Sequence, residues 1–180
     1  MIVLVPSTIA LLPSYAGIED PVAALRAACL AAMAPMASCA SVRMVCAPAR
    51  PDNVERGVAE PAGLRIARHL LDAVNFGGEV STGAGEATLV VANGSATRSE
   101  KAPGHLDPRS SAFDDALEQA LRAGDTAALA GLDASLAEEL WCYDAAAFHT
   151  LAELLPAGTP GEVSYADDPY GVQYWVVTWP

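Results

Sequence analysis

Basic residues are scarce in this sequence, and lysine is almost missing. The 180 residues include 22 acidic side chains against 10 basic ones, the formal net charge is −12, and Lys101 is the only lysine. A surface this acidic repels phosphate backbones and anionic lipid headgroups, which proteins bind through clusters of Lys and Arg. We therefore expect neither a nucleic-acid partner nor a membrane partner.

Long apolar runs and paired cysteines are also lacking. No apolar stretch approaches the roughly 20 residues of a membrane-spanning helix, and the apolar residues 1–6 carry none of the basic residues that open a signal peptide. The four cysteines form no Cys-x-x-Cys pair and have no His at zinc-finger spacing; they are Cys29, Cys39, Cys46 and Cys142. This pattern is typical of free thiols in a reducing compartment, so we expect a cytoplasmic protein.

Common nucleotide-binding and hydrolase motifs are missing as well. The sequence contains no P-loop, no dinucleotide-binding glycine pattern after its first apolar run and no Gly-x-Ser-x-Gly elbow. What is present is a large apolar fraction, 52% of the residues, dominated by Ala, Leu and Val. A chain of this length and composition is long enough to bury one core, and we predict a single domain over residues 1–180.

Apolar strands alternate with amphipathic helices along the first half of the chain. The sequence predicts strands at 2–5, 42–46, 87–92, 163–165 and 172–179, and helices at 20–33, 64–74, 111–123, 126–132 and 144–155. Residues 7–17 and the glycine-rich residues 77–85 are predicted as loops. The order of these elements indicates a three-layer α/β fold with a mostly parallel mixed sheet and a C-terminal antiparallel hairpin.

The first two helices each have an apolar face at helical spacing. Asp20 and Pro21 are expected to open the first helix as N-cap and first helical residue, and Pro35 is expected to stop it. Its predicted inner face is Val22, Leu25, Cys29 and Met33, and that of the second helix is Leu64, Ala67, Leu71 and Val74.

A long polar loop after the third predicted strand carries a family resemblance. Residues 93–109 read NGSATRSEKAPGHLDPR, and residues 165–174 near the end read YADDPYGVQY. Both stretches, and the opening strand with its proline-containing loop, resemble short actinobacterial-type members of the class III extradiol ring-cleavage dioxygenase, subunit-B-like (LigB-like) family. The resemblance runs in the right order through most of the chain and implies a LigB-like fold.

The resemblance also implies an iron site, and its histidines are missing from this sequence. Working members of the family bind Fe(II) with two histidines and one glutamate, and use a further histidine as acid–base. The corresponding positions hold Ser7 after the first strand, no histidine at 46–57 after the second strand, and residues 95–98 after the third. A hydroxyl is a poor ligand for Fe(II), so we expect no metal, with Fe(II) only if the family activity is retained.

The three histidines of the chain do not restore that site. His69 and His149 lie in predicted helices and are read as structural or surface residues, whereas His105 lies in the polar loop. An iron site would therefore need histidines from unrelated parts of the sequence.

Three loops are expected to meet where ligands bind in an open α/β sheet, beyond the carboxyl ends of the strands. They are residues 6–8, 48–56 and 93–109. The predicted ligand-binding residues in them are Ser7, Thr8, Ser95, Arg98, Glu100, Lys101 and His105. Of these, Arg98, Lys101 and His105 are also candidates for catalysis, since a lysine beside an arginine can bind an anion or form a Schiff base. The alternative is an ion-pair network of Arg98, Glu100, Lys101, Asp107 and Arg109 that pins the loop to the next helix.

Three functions stay open at this point. The first is a non-catalytic scaffold that keeps the family fold without the iron triad and binds a small molecule, anionic or aromatic, or a protein partner. The second is an enzyme with a relocated metal site or with metal-free chemistry at the polar loop. The third is a structural subunit of a larger assembly; a homo-oligomer is expected if Trp175 or Trp179 in the last strand is exposed.

Overall fold

A computed structural model describes residues 1–15 and 20–180 of the chain. Gly17, at the end of the first predicted loop, lies outside the described residues. The strands are β1 (Ile2–Val5), β2 (Ser41–Cys46), β3 (Glu79–Ser81), β4 (Ala87–Val91), β5 (Glu162–Asp167) and β6 (Tyr174–Trp179). The α-helices are α1 (Ala23–Met33), α2 (Pro51–Glu55), α3 (Ala62–Ala73), α4 (Ser110–Ala123), α5 (Thr126–Ala130), α6 (Ala134–Glu139) and α7 (Ala145–Leu154).

The six strands form one mixed sheet in the order β3-β2-β4-β1-β6-β5. The first four strands of this order are parallel to one another, whereas β6 runs antiparallel to β1 and β5 runs antiparallel to β6. β1 therefore has a parallel neighbour on one side and an antiparallel one on the other. Its four residues are all buried, because a central strand is covered on both faces.

Apolar side chains leave the sheet on both faces and build two cores. Val3 and Val5 of β1 join the core beneath α1 and α3, while Ile2 and Leu4 join the core beneath the helices from α4 to α7. This alternation follows from the two-residue period of a strand. The result is a helix–sheet–helix arrangement in three layers, so the predicted fold class is confirmed.

Helix α1 has the predicted inner face but begins later than predicted. Val22, Leu25, Cys29 and Met33 are all buried. Asp20 does not cap a helix that starts at Pro21; its carboxylate accepts a hydrogen bond from the Val22 amide at 3.2 Å. Asp20 and Pro21 thus form a turn that precedes the helix. Beyond Met33 the chain continues as a 3-10 helix over Ala34–Ser38.

The glycine-rich stretch predicted as a loop contains the edge strand β3. Two of its glycines lie where the backbones approach closely: a Cβ at Gly78 would lie 2.5 Å from the Ala40 carbonyl oxygen, and one at Gly85 would lie 2.4 Å from the Arg43 amide nitrogen. Glycine is needed there to bring β3 and the start of β4 against β2. A three-residue strand in a glycine-rich stretch gives little apolar alternation, and the prediction missed it.

Two short helices were also missed, and one helical face was predicted only in part. α2 occupies most of the stretch predicted as the polar loop 48–56, and α6 follows the predicted helix 126–132. On α3, Ile66 and Leu70 are buried beside the predicted Ala67 and Leu71, while the predicted Leu64 and Val74 are only partly buried.

Trp175 and Trp179 of β6 are buried in the core beneath α4 to α7, so neither offers an exposed apolar surface.

All four cysteines are free thiols, and burial raises the pKa of Cys29 to about 12. Within the described ranges, no helix has both the length and the apolar character needed to cross a membrane.

Candidate functional site

The carboxyl ends of β1, β2 and β4 open into a cavity of about 350 Å³. Three segments supply much of its wall: Ser7 and Thr8 after β1, Ala47–Arg50 after β2, and Asn93, Ala96 and Pro103 after β4. The three loops predicted from the sequence therefore do meet at this end of the sheet. A fourth segment, which precedes α7, adds Trp141, Tyr143 and Asp144, and β6 adds Tyr174.

Ser7, Asn93 and Asp144 form a hydrogen-bonded cluster in this cavity. The Ser7 hydroxyl donates to Oδ2 of Asp144 at 2.5 Å, and the backbone amide of Asn93 donates to the same oxygen at 2.9 Å. The Ser7 amide in turn donates to the Asn93 side-chain carbonyl at 2.8 Å. The ends of β1 and β4 are thereby tied to each other and to the start of α7.

The Asp144 carboxyl is the acidic group of the cluster. Burial raises its pKa above the ordinary value, and the hydrogen bonds from Ser7 and Asn93 oppose that rise without cancelling it. Both hydrogen bonds found in the described part of the chain end on Oδ2. The other oxygen, Oδ1, accepts neither of these hydrogen bonds and retains its capacity to accept one from a ligand.

Arg50 contributes the positive charge of the cavity. It lies just before α2, and its guanidinium carbon is 3.5 Å from the centre of the Tyr143 ring, which is a close cation–π contact. Its Nη1 atom is buried and, among the described residues, has no hydrogen-bond partner. A buried donor without a partner is costly and uncommon in folded proteins. The face of the Tyr143 ring therefore holds Arg50 in position. The described residues do not use every hydrogen-bond donor of its guanidinium.

Aromatic rings supply the apolar part of the wall. The rings of Trp141 and Tyr143 lie 5.7 Å apart at an angle of 34°. Trp141 adopts a positive φ of 57° and packs against Gly104, where an added Cβ would lie 2.8 Å from the indole. On the other side, the Tyr174 hydroxyl donates to Thr8 Oγ1 at 3.3 Å, and burial raises the Tyr174 pKa.

Only Ser7 and Thr8 of the seven predicted ligand-binding residues line this cavity. Ser95 is fully buried beneath it. Its hydroxyl donates to Asp114 Oδ2 at 2.6 Å, and its amide donates to Oδ1 of the same carboxylate at 2.9 Å. Ser95 therefore fixes the loop after β4 to helix α4 rather than facing a ligand.

Arg98 forms two ion pairs, both with acids outside the network that the alternative interpretation named. Its guanidinium lies 3.0 Å from Asp114 on α4 and 2.5 Å from Asp168 in the turn after β5. Asp114 is almost completely buried, and this burial raises its pKa despite the nearby Arg98. Arg98 thus joins the loop, helix α4 and the terminal hairpin.

The remaining predicted residues lie on the outside of the loop. The His105 ring is 79% exposed, with Nδ1 2.9 Å from the Glu100 carbonyl oxygen and 3.9 Å from its carboxylate. Lys101 is exposed as well. Arg109 pairs with Asp107 and Glu139 at 2.7 Å each. Of the five residues in the predicted network, Arg109 and Asp107 pair with each other, whereas Arg98 pairs with acids outside it. The structure does not bring Arg98, Lys101 and His105 into one site.

The donor set around the cavity does not fit the iron centre that the family resemblance implies. Ser7 offers a hydroxyl and Asp144 a carboxylate, but none of His69, His105 and His149 is among the lining residues. His149 contacts the Leu132 carbonyl oxygen at 3.3 Å instead. Residues 1–15 and 20–180 contain no group of three or more His, Cys, Asp or Glu side chains able to hold a metal ion.

Sequence reasoning missed the residues that dominate the cavity. Asp144 was interpreted as the start of a helix, and Arg50 as part of a polar loop. Two signals were present: Arg50 lies in one of the three loops expected to converge, and the Trp-Cys-Tyr-Asp run at 141–144 places two aromatic rings beside an acid. Nothing in the sequence indicates that this run lies beside β1 and β4.

No protein-family model matches the chain, and a search of curated proteins gives no significant match. The function is therefore inferred from the geometry of the cavity.

Proposed function

We propose that this protein is a non-catalytic binding protein that holds a small organic anion in the cavity at the carboxyl ends of β1, β2 and β4. Arg50 binds the anionic group, and the rings of Trp141 and Tyr143 pack against the apolar remainder of the ligand. A volume of about 350 Å³ lies within the roughly 300–1,000 Å³ of small-molecule sites.

The observation that carries this proposal is an arginine in the cavity wall that has no acidic partner. Arg50 lines the cavity, and no acidic side chain among the described residues forms an ion pair with it. An anionic ligand would supply the opposite charge. The stacking on Tyr143 keeps the guanidinium in place before the ligand arrives, which lowers the entropic cost of binding.

We also propose that the scaffold is a LigB-like one that has lost its iron site. Two features support the relationship: the mixed sheet and the long loop after β4 that bears the resemblance. A serine where the family has its first metal histidine, together with the donor set of the cavity, supports the loss of iron. Free and largely buried thiols support a reducing, cytoplasmic location.

The test is calorimetric titration with 3-phenylpropionate, a small carboxylate with an apolar ring. The wild-type protein is expected to bind it, and Arg50→Met is expected to weaken binding about tenfold or more, because a charge-assisted hydrogen bond is lost. Arg56→Met is the matched control, since Arg56 follows the same helix α2 and is exposed outside the cavity.

Equal binding by Arg50→Met and by the wild type would contradict the role of Arg50. The absence of any binding by the wild type would contradict the proposal as a whole. Thermal unfolding of each variant would show separately that its fold is retained.

An enzyme with metal-free acid–base chemistry is the second candidate, and one contact favours it. The Ser7 hydroxyl lies 2.5 Å from the Asp144 carboxylate, and burial, which raises the pKa of that carboxyl, makes it a stronger base. This chemistry would differ from the Arg98, Lys101 and His105 site expected from the sequence. Conversion of a candidate ester or hydroxy acid that Asp144→Asn abolishes would favour it over simple binding.

A further inference from the structure

We infer, on the basis of the proposed function, that the ligand is a zwitterion: an α-amino acid with an apolar side chain, whose carboxylate contacts Arg50 and whose ammonium contacts Asp144. The two charges of the cavity then each have a partner of opposite sign on the same small molecule.

The cavity presents one guanidinium and one carboxylate that do not neutralise each other. Arg50 and Asp144 both line it, yet the described residues contain no ion pair between them. The Tyr143 ring, which lies next to Asp144 in the chain, holds Arg50 by its face. Opposite charges that line one cavity without pairing match a ligand that itself carries opposite charges a short distance apart.

Asp144 has hydrogen-bonding capacity that the protein leaves unused. A carboxylate accepts about four hydrogen bonds, while Ser7 and Asn93 together donate two, both to Oδ2. Oδ1 is therefore the acceptor that a ligand ammonium can reach. Burial makes the ionised form of Asp144 unfavourable, and a cationic partner would offset that cost.

Ligands with a single charge fit this wall less well. A plain carboxylate would satisfy Arg50 but would place its own negative charge in a cavity that already holds Asp144. Glu60 also lines the cavity, although it is paired with Arg68. A plain amine would satisfy Asp144 and leave Arg50 without a partner of opposite charge. Only a zwitterion satisfies both groups, and the rings of Trp141 and Tyr143 suit an apolar side chain.

The experiment compares two amino acids with their deaminated analogues on the full-length wild-type protein. L-phenylalanine is titrated beside 3-phenylpropionate and 2-phenylethylamine, and L-leucine beside 4-methylpentanoate. At least one amino acid is expected to bind about tenfold or more tightly than its analogue, because the ammonium adds a charge-assisted hydrogen bond.

Two variants assign the effect to Asp144. Asp144→Asn is expected to abolish the preference for the amino acid over its deaminated analogue, because the variant no longer offers a carboxylate to the ligand ammonium. Ser7→Ala removes the neighbouring hydroxyl, keeps the carboxylate, and is expected to retain the preference for the amino acid. If Asp144→Asn fails to fold, the wild-type comparison still decides, because it needs no variant.

The outcomes separate this inference from the proposed function. Equal or weaker binding of both amino acids relative to their analogues would overturn the zwitterion inference while the anion-binding proposal stands. A preference that survives in a folded Asp144→Asn would overturn the role of Asp144. If neither the amino acids nor the carboxylates bind, both the inference and the proposed function fail.

Discussion

The Asp144 carboxyl is a buried acidic group in the wall of the cavity, and its protonation state affects the stability of the fold. Its pKa in the folded protein is raised above the ordinary value of 3.8, chiefly by burial. A carboxyl with a raised folded pKa keeps its proton over a pH range in which the unfolded chain has lost it. Stability is therefore highest below the unfolded pKa and falls as the pH rises through the folded pKa.

This coupling predicts a pH-dependent difference between the wild type and Asp144→Asn. The free energy of unfolding of the variant, relative to that of the wild type, should increase as the pH rises from about 4, since asparagine cannot ionise. The increase should level off once Asp144 is ionised in both states. Urea unfolding at a series of pH values measures it, and a difference that stays constant with pH would rule out a raised pKa.

The ion pair between Arg98 and Asp114 leads to a second prediction, which concerns the stability of the fold. Its partner Asp114 is only 1% exposed, so Arg98→Met would leave a buried carboxylate without its ion pair. We expect a loss of about 3 kcal/mol in the free energy of unfolding. Chemical denaturation measures this loss.

Arg109→Met is the matched control for that measurement. Arg109 also bridges two carboxylates, but those of Asp107 and Glu139 are solvent-accessible, at 24% and 54% exposure, so a clearly smaller change is expected. Equal losses for the two variants would show that burial of Asp114 does not determine the effect.

The position of a side chain could be predicted from the sequence where the residue follows a strand closely. It could not be predicted where the contact joins residues far apart in the chain. Ser7 and Thr8 follow β1 directly, so their place at the carboxyl end of the sheet could be predicted from strand order. Asp144 meets Ser7 across 137 positions of the chain, and Arg98 meets Asp168 across 70. Such pairings depend on how α7 and the hairpin pack, and local pattern holds no information about that.

At the scale of elements, the loop after β4 packs closely against the segment before α7 at Gly104. An added Cβ there would lie 2.6 Å from Thr97 Cγ2 and 2.8 Å from the Trp141 ring. Thr97 is buried and Trp141 is 41% exposed, so the indole is the group that can move. The loop therefore sets the position of one aromatic wall of the cavity.

Gly104→Ala is accordingly expected to displace Trp141 and make it more accessible to acrylamide quenching. The other two tryptophans, Trp175 and Trp179, are buried and should be unaffected. Gly77→Ala is the control, because a Cβ at Gly77 meets nothing within 4 Å. Identical quenching in the two variants would mean that Gly104 does not position the indole.

The elements that the sequence missed share short length and dependence on tertiary contacts. β3 has three residues and α2 has five, which is too few for a hydrophobic period to be visible. β3 exists because Gly78 and Gly85 allow the backbones to approach β2. β1 and β4 were predicted because each is a continuous apolar run, and the longer helices α1 and α3 because each has apolar residues at helical spacing.

At the scale of the whole molecule, the sheet separates two cores that share no side chain. Leu25 on α1 and Leu151 on α7 are both fully buried, one in each core. Replacing either by alanine is expected to lower the free energy of unfolding by about 2–5 kcal/mol. Because the sheet lies between them, the double variant should equal the sum of the singles to within about 0.5 kcal/mol.

Urea unfolding of the two single variants and the double variant measures this additivity. A single transition in all three would show that the two layers unfold together. A marked departure from the sum would show that the cores are coupled through the sheet.

The fold class was predictable from the sequence because strand and helix patterns alternate clearly up to β4. The late hairpin was also predictable, since the Asp-Pro-Tyr-Gly segment at 168–171 marks a turn between two apolar runs. The order of strands in the sheet was not, because the insertion of β1 between β4 and β6 depends on long-range pairing of Ile2 with Trp179.

That pairing brings the two ends of the chain to one corner of the molecule. Met1 and Pro180 line the same surface hollow, and this corner lies at the amino end of β1, whereas the cavity lined by Ser7 and Asp144 lies at its carboxyl end. A donor and an acceptor dye attached at residues 1 and 180 would therefore stay in close contact in the native protein and separate on denaturation. Tethering through either end to a sensor surface would leave the mouth of the cavity facing the solution.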